Sequence, residues 1–175
     1  MGELRRTVAL VGMMGAGKSS VGRRLANRLH VDFRDADSEI EAAAGCPIPE
    51  IFNRYGEQAF RDGERRVIDR LLSEPPHVLA TGGGAFAQPA TRESLKQSAV
   101  TVWIKVPVAV LLERVKRRDH RPLLRTGDPQ ETLERLLRER EPIYAGADIT
   151  VESDDGPHAN TVGKIVSALK ARNLL

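Results

Sequence analysis

The sequence predicts a three-layer α/β fold in which a central parallel sheet of five strands carries helices on both faces. Short apolar segments rich in β-branched residues recur along the 175-residue chain, and stretches of helical periodicity separate them. The segments cover residues 8–11, 31–33, 78–80, 100–104 and 149–151. Continuous apolar character is typical of parallel strands that are buried on both faces. The length, with 41% hydrophobic residues, favours one domain over residues 1–175.

The first strand leads into an eight-residue run, GMMGAGKS, that begins at Gly12. The run matches the pattern G-x-x-x-x-G-K-[ST], with a strand before it and an amphipathic helix after it. Glycines let successive backbone N–H groups turn inward around phosphate oxygens, and the helix N-terminus favours an anion. The run therefore predicts a P-loop in which Lys18 reaches the β and γ phosphates and Ser19 contacts Mg²⁺. We expect nucleotide contacts from Gly12, Gly15, Ala16, Gly17, Lys18, Ser19 and Ser20.

Two aspartates follow the second strand in the run DAD. If the chain stays extended, Asp35 and Asp37 face the same side and project together at the carboxyl end of that strand. Ser38 with Glu41 matches a capping box, so we expect Ser38 to cap the next helix. Two carboxylates beside nucleotide phosphates suit one Mg²⁺ contact and one base or orienter for an attacking hydroxyl. The alternative is that one aspartate only caps the helix.

Two segments interrupt the regular alternation of strands and helices. We interpret residues 35–61 as an acceptor-binding insertion and residues 117–129 as a lid, because insertions at the carboxyl edge of a parallel sheet bind ligands. Arg61 ends the first segment, and an ordinary surface ion pair with Glu57 would explain it. Gly63 lies in the same helical stretch. Glycine is less favourable than alanine inside a helix, so its presence suggests that the backbone there is crowded by a neighbour. In the second segment, Arg121 precedes a proline and could close over the phosphates.

Three consecutive glycines, Gly82, Gly83 and Gly84, follow the third strand. Three glycines lose much conformational entropy on folding, which suggests that backbone without side chains is needed there for close approach of a ligand. The alternative is that they form a flexible hinge. Arg140 lies on the apolar stripe of the last long helix, and no acidic residue stands three or four positions away. A ligand carboxylate or phosphate could supply the missing anion. Alternatively, the stem of Arg140 packs while its charged head reaches water.

Composition excludes several classes of protein. The net charge of +3 is mild and aromatic residues make up 4% of the chain, which argues against nucleic-acid binding. No apolar run approaches the roughly 18 residues of a membrane span, and glycines break the apolar segment after Arg6 that a secretory signal would need. A single cysteine, Cys46, excludes an internal disulfide. We expect a cytoplasmic protein without a membrane partner.

The motifs together resemble those of the shikimate kinases. GMMGAGKS and DAD are followed by F-x-x-x-G-E-x-x-F-R-x-x-E over residues 52–64, then by TGGGA, HRPLL and RERxPIY in the same order. The resemblance covers most of the chain. It implies a P-loop kinase, expected to act as a monomer, that transfers the γ-phosphoryl group of ATP, with Mg²⁺, to the 3-hydroxyl of shikimate.

The resemblance also implies roles for the matching acceptor-site residues. Asp37 would bind the acceptor hydroxyls and act as base or orienter, while Arg61 and Arg140 would grip the shikimate carboxylate. The backbone of residues 82–84 would meet the ring hydroxyls.

On the donor side, Asp35 would lie near the metal through water, Arg121 would be the lid arginine, and Arg114 would stack near adenine. The side chains expected to shape the acceptor pocket are those of Ile48, Phe52 and Phe60.

Two other hypotheses about the function stay open. Another kinase of the same architecture, acting on gluconate or a nucleoside monophosphate, would share the P-loop and lid arginines but need not share Asp35, Asp37, Arg61 or the triple glycine. A GTP-dependent switch belongs to a different class, and neither D-x-x-G nor N-K-x-D occurs in the chain. A family member that binds without catalysis is disfavoured by the presence of Lys18.

Overall fold

A five-stranded parallel sheet forms the centre of the computed structural model, which describes residues 2–117 and 127–175. The strand order is β2-β3-β1-β4-β5, which places the first strand in the middle. Four predicted segments coincide with strands, whereas the second strand begins two residues later than predicted. The strands are β1 Thr7–Val11, β2 Phe33–Asp35, β3 Val78–Ala80, β4 Ala99–Lys105 and β5 Ile149–Glu152.

Helices cover both faces of this sheet, as the sequence predicts, and one 3₁₀ turn, Ala85–Ala87, follows β3. None of the described helices is long and apolar enough to cross a lipid bilayer. The seven α-helices of the described ranges are α1 Lys18–Leu29, α2 Ala36–Ala44, α3 Ile48–Leu72, α4 Pro89–Ser98, α5 Val108–Lys116, α6 Pro129–Tyr144 and α7 His158–Ala171.

The core lies on both sides of β1, all of whose residues are buried. Helix α1 buries the predicted stripe against it, including Val21, Leu25 and Leu29. The register aligns Leu10 of β1 with Ala80 of β3, and Ala80 with Asp35 of β2. Because parallel strands end at the same edge, the P-loop, the DAD run and the triple glycine emerge side by side.

The start of α2 differs from the prediction. Asp35 is the last residue of β2 and also the N-cap of α2, where its Oδ1 accepts a hydrogen bond from the Ser38 backbone N–H at 3.2 Å. Asp37 therefore lies in the first helical turn, so the expected extended pair of aspartates and the Ser38 cap were wrong. Glu41 instead accepts a hydrogen bond from the backbone N–H of Ile48, at 2.8 Å, and so joins α2 to α3.

Helix α3 is broken near its first third. Gly56 has φ 84° and ψ 172°, a conformation outside the helical region that side chains rarely adopt. The sequence predicted a helical stretch around Arg61, over residues 55–66, and indicated crowding at Gly63. A Cβ at Gly63 would meet nothing within 4 Å, so the crowding prediction was wrong. The break divides the segment around Phe52 from the segment that carries Arg61.

Candidate functional site

The P-loop spans residues 12–17 between β1 and α1. Gly12, Gly15 and Gly17 have φ values of 145°, 80° and 90°, which explains why glycine stands at each of these positions. A Cβ on Gly12 would also lie 2.9 Å from the carbonyl oxygen of Ile104 at the end of β4. The loop therefore curls against the sheet edge and directs the first N–H groups of α1 toward the space above it.

Lys18 reaches back over this loop. Its side chain is buried, and its Nζ donates hydrogen bonds to the carbonyl oxygens of Gly12 at 2.7 Å and Met13 at 2.8 Å. The ammonium group is thus held at the mouth of the loop by backbone rather than by a carboxylate in these two contacts. This arrangement places a positive charge where phosphate oxygens would enter.

Ser19 and Asp35 meet beside the loop. The Ser19 hydroxyl donates a hydrogen bond to Asp35 Oδ2 at 2.5 Å, while the other oxygen of Asp35 caps α2. Hydroxyl and carboxylate oxygens are ligands that Mg²⁺ accepts, and Mg²⁺ bound to nucleotide phosphates needs only one or two protein ligands. Within residues 2–117 and 127–175, no cluster of three or more His, Cys, Asp or Glu residues forms a complete metal cage. The residues present fit a phosphate-bound Mg²⁺.

A cavity of about 460 Å³ opens above the P-loop. It has the size and charge to receive a polyanionic nucleotide, because cations outnumber carboxylates in its lining. Its cationic lining residues are Lys18, Arg23, Arg114 and Arg117, its acidic ones are Asp35 and Asp37, and the remainder are Gly15, Gly17, Ser19, Ser20, Thr81, Gly82, Gly83, Val115 and His158.

Arg114 and His158 form one wall of this donor cavity. Arg114 donates to the carbonyl oxygens of Gly15 at 3.1 Å and Asp154 at 3.2 Å, so it ties the P-loop to the segment after β5. A Cβ on Gly17 would lie 3.0 Å from His158 Cε1. Burial lowers the pKa of His158, and Arg114 and Arg24 lower it further. His158 was not among the residues predicted from the sequence, although its place just after the last strand is at the edge of the sheet where ligands bind.

A second, smaller cavity of about 80 Å³ adjoins the first. Asp37, Gly82 and Gly83 line both cavities, so the DAD run and the triple glycine lie where donor and acceptor would meet. The smaller cavity is the candidate acceptor pocket, and its lining includes every predicted acceptor residue. The lining residues are Met14, Asp37, Ile48, Phe52, Phe60, Arg61, Glu64, Gly82, Gly83, Gly84 and Arg140.

Arg61 is buried in this pocket, with 8% of its surface exposed. It donates to Glu64 Oε1 at 2.9 Å, and its Nη2 lies 3.7 Å from exposed Glu57. The interpretation of Arg61 as a simple surface ion pair was therefore wrong. Burial raises the pKa of Glu64, while Arg61 lowers it and Asp37 raises it. Arg61 Nε and Glu64 Oε2 are buried without a hydrogen bond in the described part of the chain. A ligand could therefore form hydrogen bonds with these two atoms.

Arg140 is also buried, at 9% exposure, so the alternative with a solvated head was wrong. Its Nη1 donates to the carbonyl oxygen of Gly83 at 3.1 Å, and the Tyr144 hydroxyl donates to the same oxygen at 2.5 Å. Burial raises the pKa of Tyr144 to about 12 against the opposing effect of Arg140, so the phenol stays a donor. The partner that the sequence could not supply is a backbone carbonyl, while the rest of the guanidinium lines the acceptor pocket.

The triple glycine is crowded on all sides by residues of the site. A Cβ on Gly82 would lie 2.9 Å from Asp37 Oδ1 and 3.2 Å from Glu64 Oε2, and one on Gly83 would lie 3.1 Å from the Met14 backbone nitrogen. A Cβ on Gly84 would collide with the guanidinium of Arg61. Bare backbone is needed here, but the neighbours that require it are side chains of the site and the Met14 backbone, while the predicted close approach of a ligand stays a prediction.

The lid prediction falls mainly on residues that the structure does not describe. Arg121 lies outside the described residues, as does most of the segment 117–129. The described neighbours are Arg117, which lines the donor cavity, and Asp128, which caps α6 by accepting from Gln130.

Sequence comparisons agree with this geometry. The family model described as shikimate kinase matches residues 14–170. The shikimate kinase of Paramagnetospirillum magneticum is 57% identical over 168 residues, which cover 96% of this chain and 86% of that protein. The shikimate kinase of Caulobacter vibrioides is 58% identical over 165 residues, covering 94% of this chain and 82% of that protein.

Structural comparisons point the same way. Shikimate kinase from Acinetobacter baumannii in complex with shikimate has a TM-score of 0.93 and 42% identity, covering 97% of this chain and 96% of that chain. Shikimate kinase from Aquifex aeolicus has a TM-score of 0.82 and 34% identity, covering 96% and 98%. A gluconokinase from Sinorhizobium meliloti has a TM-score of 0.60 at 20% identity, covering 98% and 99%, so it shares the fold alone.

Proposed function

The chain belongs to the shikimate kinase family, and from this premise we propose how its residues carry out the reaction. It is an ATP-dependent kinase that transfers the γ-phosphoryl group of ATP, bound with Mg²⁺, to the 3-hydroxyl of shikimate. One observation carries the assignment of roles: Asp37 lines both the cationic donor cavity and the acceptor pocket. A group at that junction can touch the attacking hydroxyl while the phosphates lie on its other side.

The donor side holds the nucleotide mainly through backbone and one lysine. Residues 12–20 surround the phosphates, and Lys18 neutralises the β and γ phosphates as charge shifts during transfer. Ser19 and Asp35, whose side chains meet beside the loop, would hold Mg²⁺, with Asp35 acting through water as the family resemblance implies. Bound Mg²⁺ supplies charge neutralisation at the phosphates.

The acceptor side orients shikimate by its carboxylate. Arg61 and Arg140 bind that carboxylate, which would approach the buried Nε of Arg61 that lacks a hydrogen bond in the described chain. The backbone of residues 82–84 meets the ring hydroxyls, and Asp37 accepts the hydrogen bond of the 3-hydroxyl. The hydroxyl oxygen bonds to the γ-phosphorus as the bond to the β–γ bridging oxygen breaks. Asp37 receives the hydroxyl proton or only positions that group.

Other roles rest on the family resemblance. Arg121, outside the described residues, would close over the transferred phosphate, and Arg114 would stack near adenine beside its contact with Gly15. We also propose that the chain is one kinase domain that works as a monomer. The cytoplasm is the proposed location, since ATP is the donor. The side chains proposed to shape the acceptor pocket are Ile48, Phe52 and Phe60.

The test is an acceptor panel. Purified protein with MgATP is mixed with shikimate, gluconate or CMP, one at a time, and ADP release is followed in a coupled assay. Fast ADP release is expected with shikimate alone, because only shikimate combines a carboxylate for the two arginines with a hydroxyl that reaches Asp37 in this ring geometry. ADP release with gluconate or CMP but not with shikimate would overturn the proposed function.

A further inference from the structure

His158 occupies a place in the donor cavity that the family motifs leave without a role. It is the first residue of α7, it is half-buried, and its ring packs over Gly17, one residue before the start of α1. The ring lines the same cavity as Lys18 and Ser19. An imidazole here therefore lies within a few ångströms of the backbone that cradles the nucleotide phosphates.

The groups that face His158 are cationic. Arg114 on α5 and Arg24 on α1 act on it directly, and both favour the neutral imidazole, as does burial. In the segment before α7, the carboxylate of Asp154 is engaged by the backbone N–H of Gly156 at 2.7 Å. The other charged residues of the cavity are Lys18, Arg23, Arg117, Asp35 and Asp37. A neutral ring is the consequence of a cavity in which cations outnumber carboxylates.

A bound nucleotide reverses this balance. Its phosphates bring several negative charges into the cavity, well within the Debye length of about 8 Å at physiological ionic strength. An imidazolium is then attracted to the ligand instead of being repelled by the arginines alone. We propose that His158 takes up a proton when the nucleotide binds and contributes an extra positive charge to the donor site.

The direction of the pH dependence follows from linkage. If the bound form holds more protons than the free form, nucleotide affinity rises as the pH falls through the interval between the two pKa values of His158. Each unit of difference between those two pKa values corresponds to a tenfold change in affinity at most. We expect wild type to gain about fivefold more affinity than a variant without the imidazole on going from about pH 8 to about pH 6.

The experiment measures proton uptake rather than catalysis. MgADP binding to the full chain is followed by calorimetry at about pH 6, 7 and 8, a range that spans imidazole titration. Each titration is run in two buffers of different ionisation enthalpy, so that the number of protons taken up can be calculated. At the pH where uptake is greatest, wild type should take up about half a proton more per bound MgADP than His158→Asn does. Subtracting the variant removes protonation of the nucleotide itself. His30→Asn is the matched control, because His30 is exposed with φ 55°, a conformation that asparagine tolerates.

The possible results distinguish failure of this inference from failure of the proposed function. Equal proton uptake in wild type and His158→Asn would overturn the inference while leaving the proposed function intact. No MgADP binding to wild type at any of these pH values would overturn both, since the inference rests on the proposed nucleotide site. If His158→Asn does not fold by circular dichroism, NMR titration of the histidine rings of wild type decides. A His158 ring whose pKa does not rise on addition of MgADP contradicts the inference.

Discussion

The donor and acceptor halves of the site are built in different ways. The phosphate-binding part of the donor half, residues 12–20, is one continuous stretch whose shape comes from backbone conformation and whose lysine bonds to the carbonyl oxygens of its own loop. The acceptor half draws Arg61, Gly83 and Arg140 from three distant segments. A buried hydrogen bond from Arg140 to Gly83 joins two of these segments, and a buried pair within α3, Arg61 with Glu64, fixes the third.

This difference indicates how each half responds to change. A loop fixed by its own dihedral angles keeps its shape when a distant side chain is altered, whereas a pocket assembled from side-chain pairs loses a wall with each partner removed. Acceptor-half variants should therefore change catalysis or shikimate binding while nucleotide affinity stays constant. Asp37 and the triple glycine lie at the boundary and test the division most severely.

Asp37→Asn is expected to have the largest effect. Losing the carboxylate at the junction should lower kcat about 10²–10⁴-fold, with smaller changes in either KM. Steady-state kinetics and MgADP binding measure the two parts, and Asp69→Asn, on the exposed side of α3, is the control. An unchanged kcat would remove Asp37 from the mechanism. Weaker MgADP binding would break the division between the halves, because Asp37 also lines the donor cavity.

Arg140→Ala should come next. We expect KM for shikimate to rise about 30-fold, or about 2 kcal/mol, the low end for losing one partner of a hydrogen-bonded charge pair. The loss is limited because Arg61 stays in place and Tyr144 still donates to Gly83. Arg138→Ala is the matched control, since Arg138 is exposed on the same helix. If KM for shikimate matched that of the control, Arg140 would have no part in acceptor binding.

Glu64→Gln should raise KM for shikimate about fivefold, or about 1 kcal/mol, because Arg61 keeps a hydrogen bond but loses its buried charge partner. Exposed Glu57, which also approaches Arg61, provides the control variant Glu57→Gln, for which a smaller change is expected.

The same variant has a pH signature. Burial raises the pKa of Glu64, so its contribution to stability is complete below the unfolded value and is lost as the pH rises through the folded value. Glutamine cannot ionise. Urea unfolding should therefore show the stability difference moving in favour of Glu64→Gln between about pH 4 and about pH 8. A difference that is constant with pH would mean that Glu64 ionises as it does in the unfolded chain.

A pair of glycine variants gives the smallest expected effect. Gly56→Ala should lower the free energy of unfolding by about 1 kcal/mol, because alanine resists its positive φ although space is free. Gly63→Ala should raise it by about 0.5 kcal/mol, because the position is helical and open. Denaturant titration compares the two. Equal effects would mean that the break in α3 carries no strain.

The donor half was predictable from sequence because its structure is local. Spacing together with the predicted flanking elements identified the P-loop, and the strand before it and the helix after it appeared as expected. The triple glycine and Arg140 were also singled out. Three consecutive glycines at a strand end, and an arginine on the apolar stripe of a helix, are both visible in a sequence. What these acceptor residues contact is not visible there, because Gly83 and Arg140 stand far apart along the chain.

The errors have the same physical origin. Propensity treats Gly56 and Gly63 alike, and only the backbone angle shows that the first one breaks the helix. The capping box at Ser38 was plausible locally, but the strand runs two residues further than predicted and brings Asp35 to the cap. Glu64 was recognised only as the end of a motif and His158 not at all, because the significance of both lies in what packs around them.

Gly83 has a consequence for resistance to inhibitors. Its carbonyl oxygen receives both Arg140 and Tyr144, and any side chain at this position would press on the Met14 backbone nitrogen from 3.1 Å. A competitor of shikimate that rests on this backbone therefore contacts a position where any side chain would require the P-loop backbone at Met14 to shift by a few tenths of an ångström. We expect escape mutations more readily at the periphery of the pocket, where Phe52 and Ile48 are only partly buried.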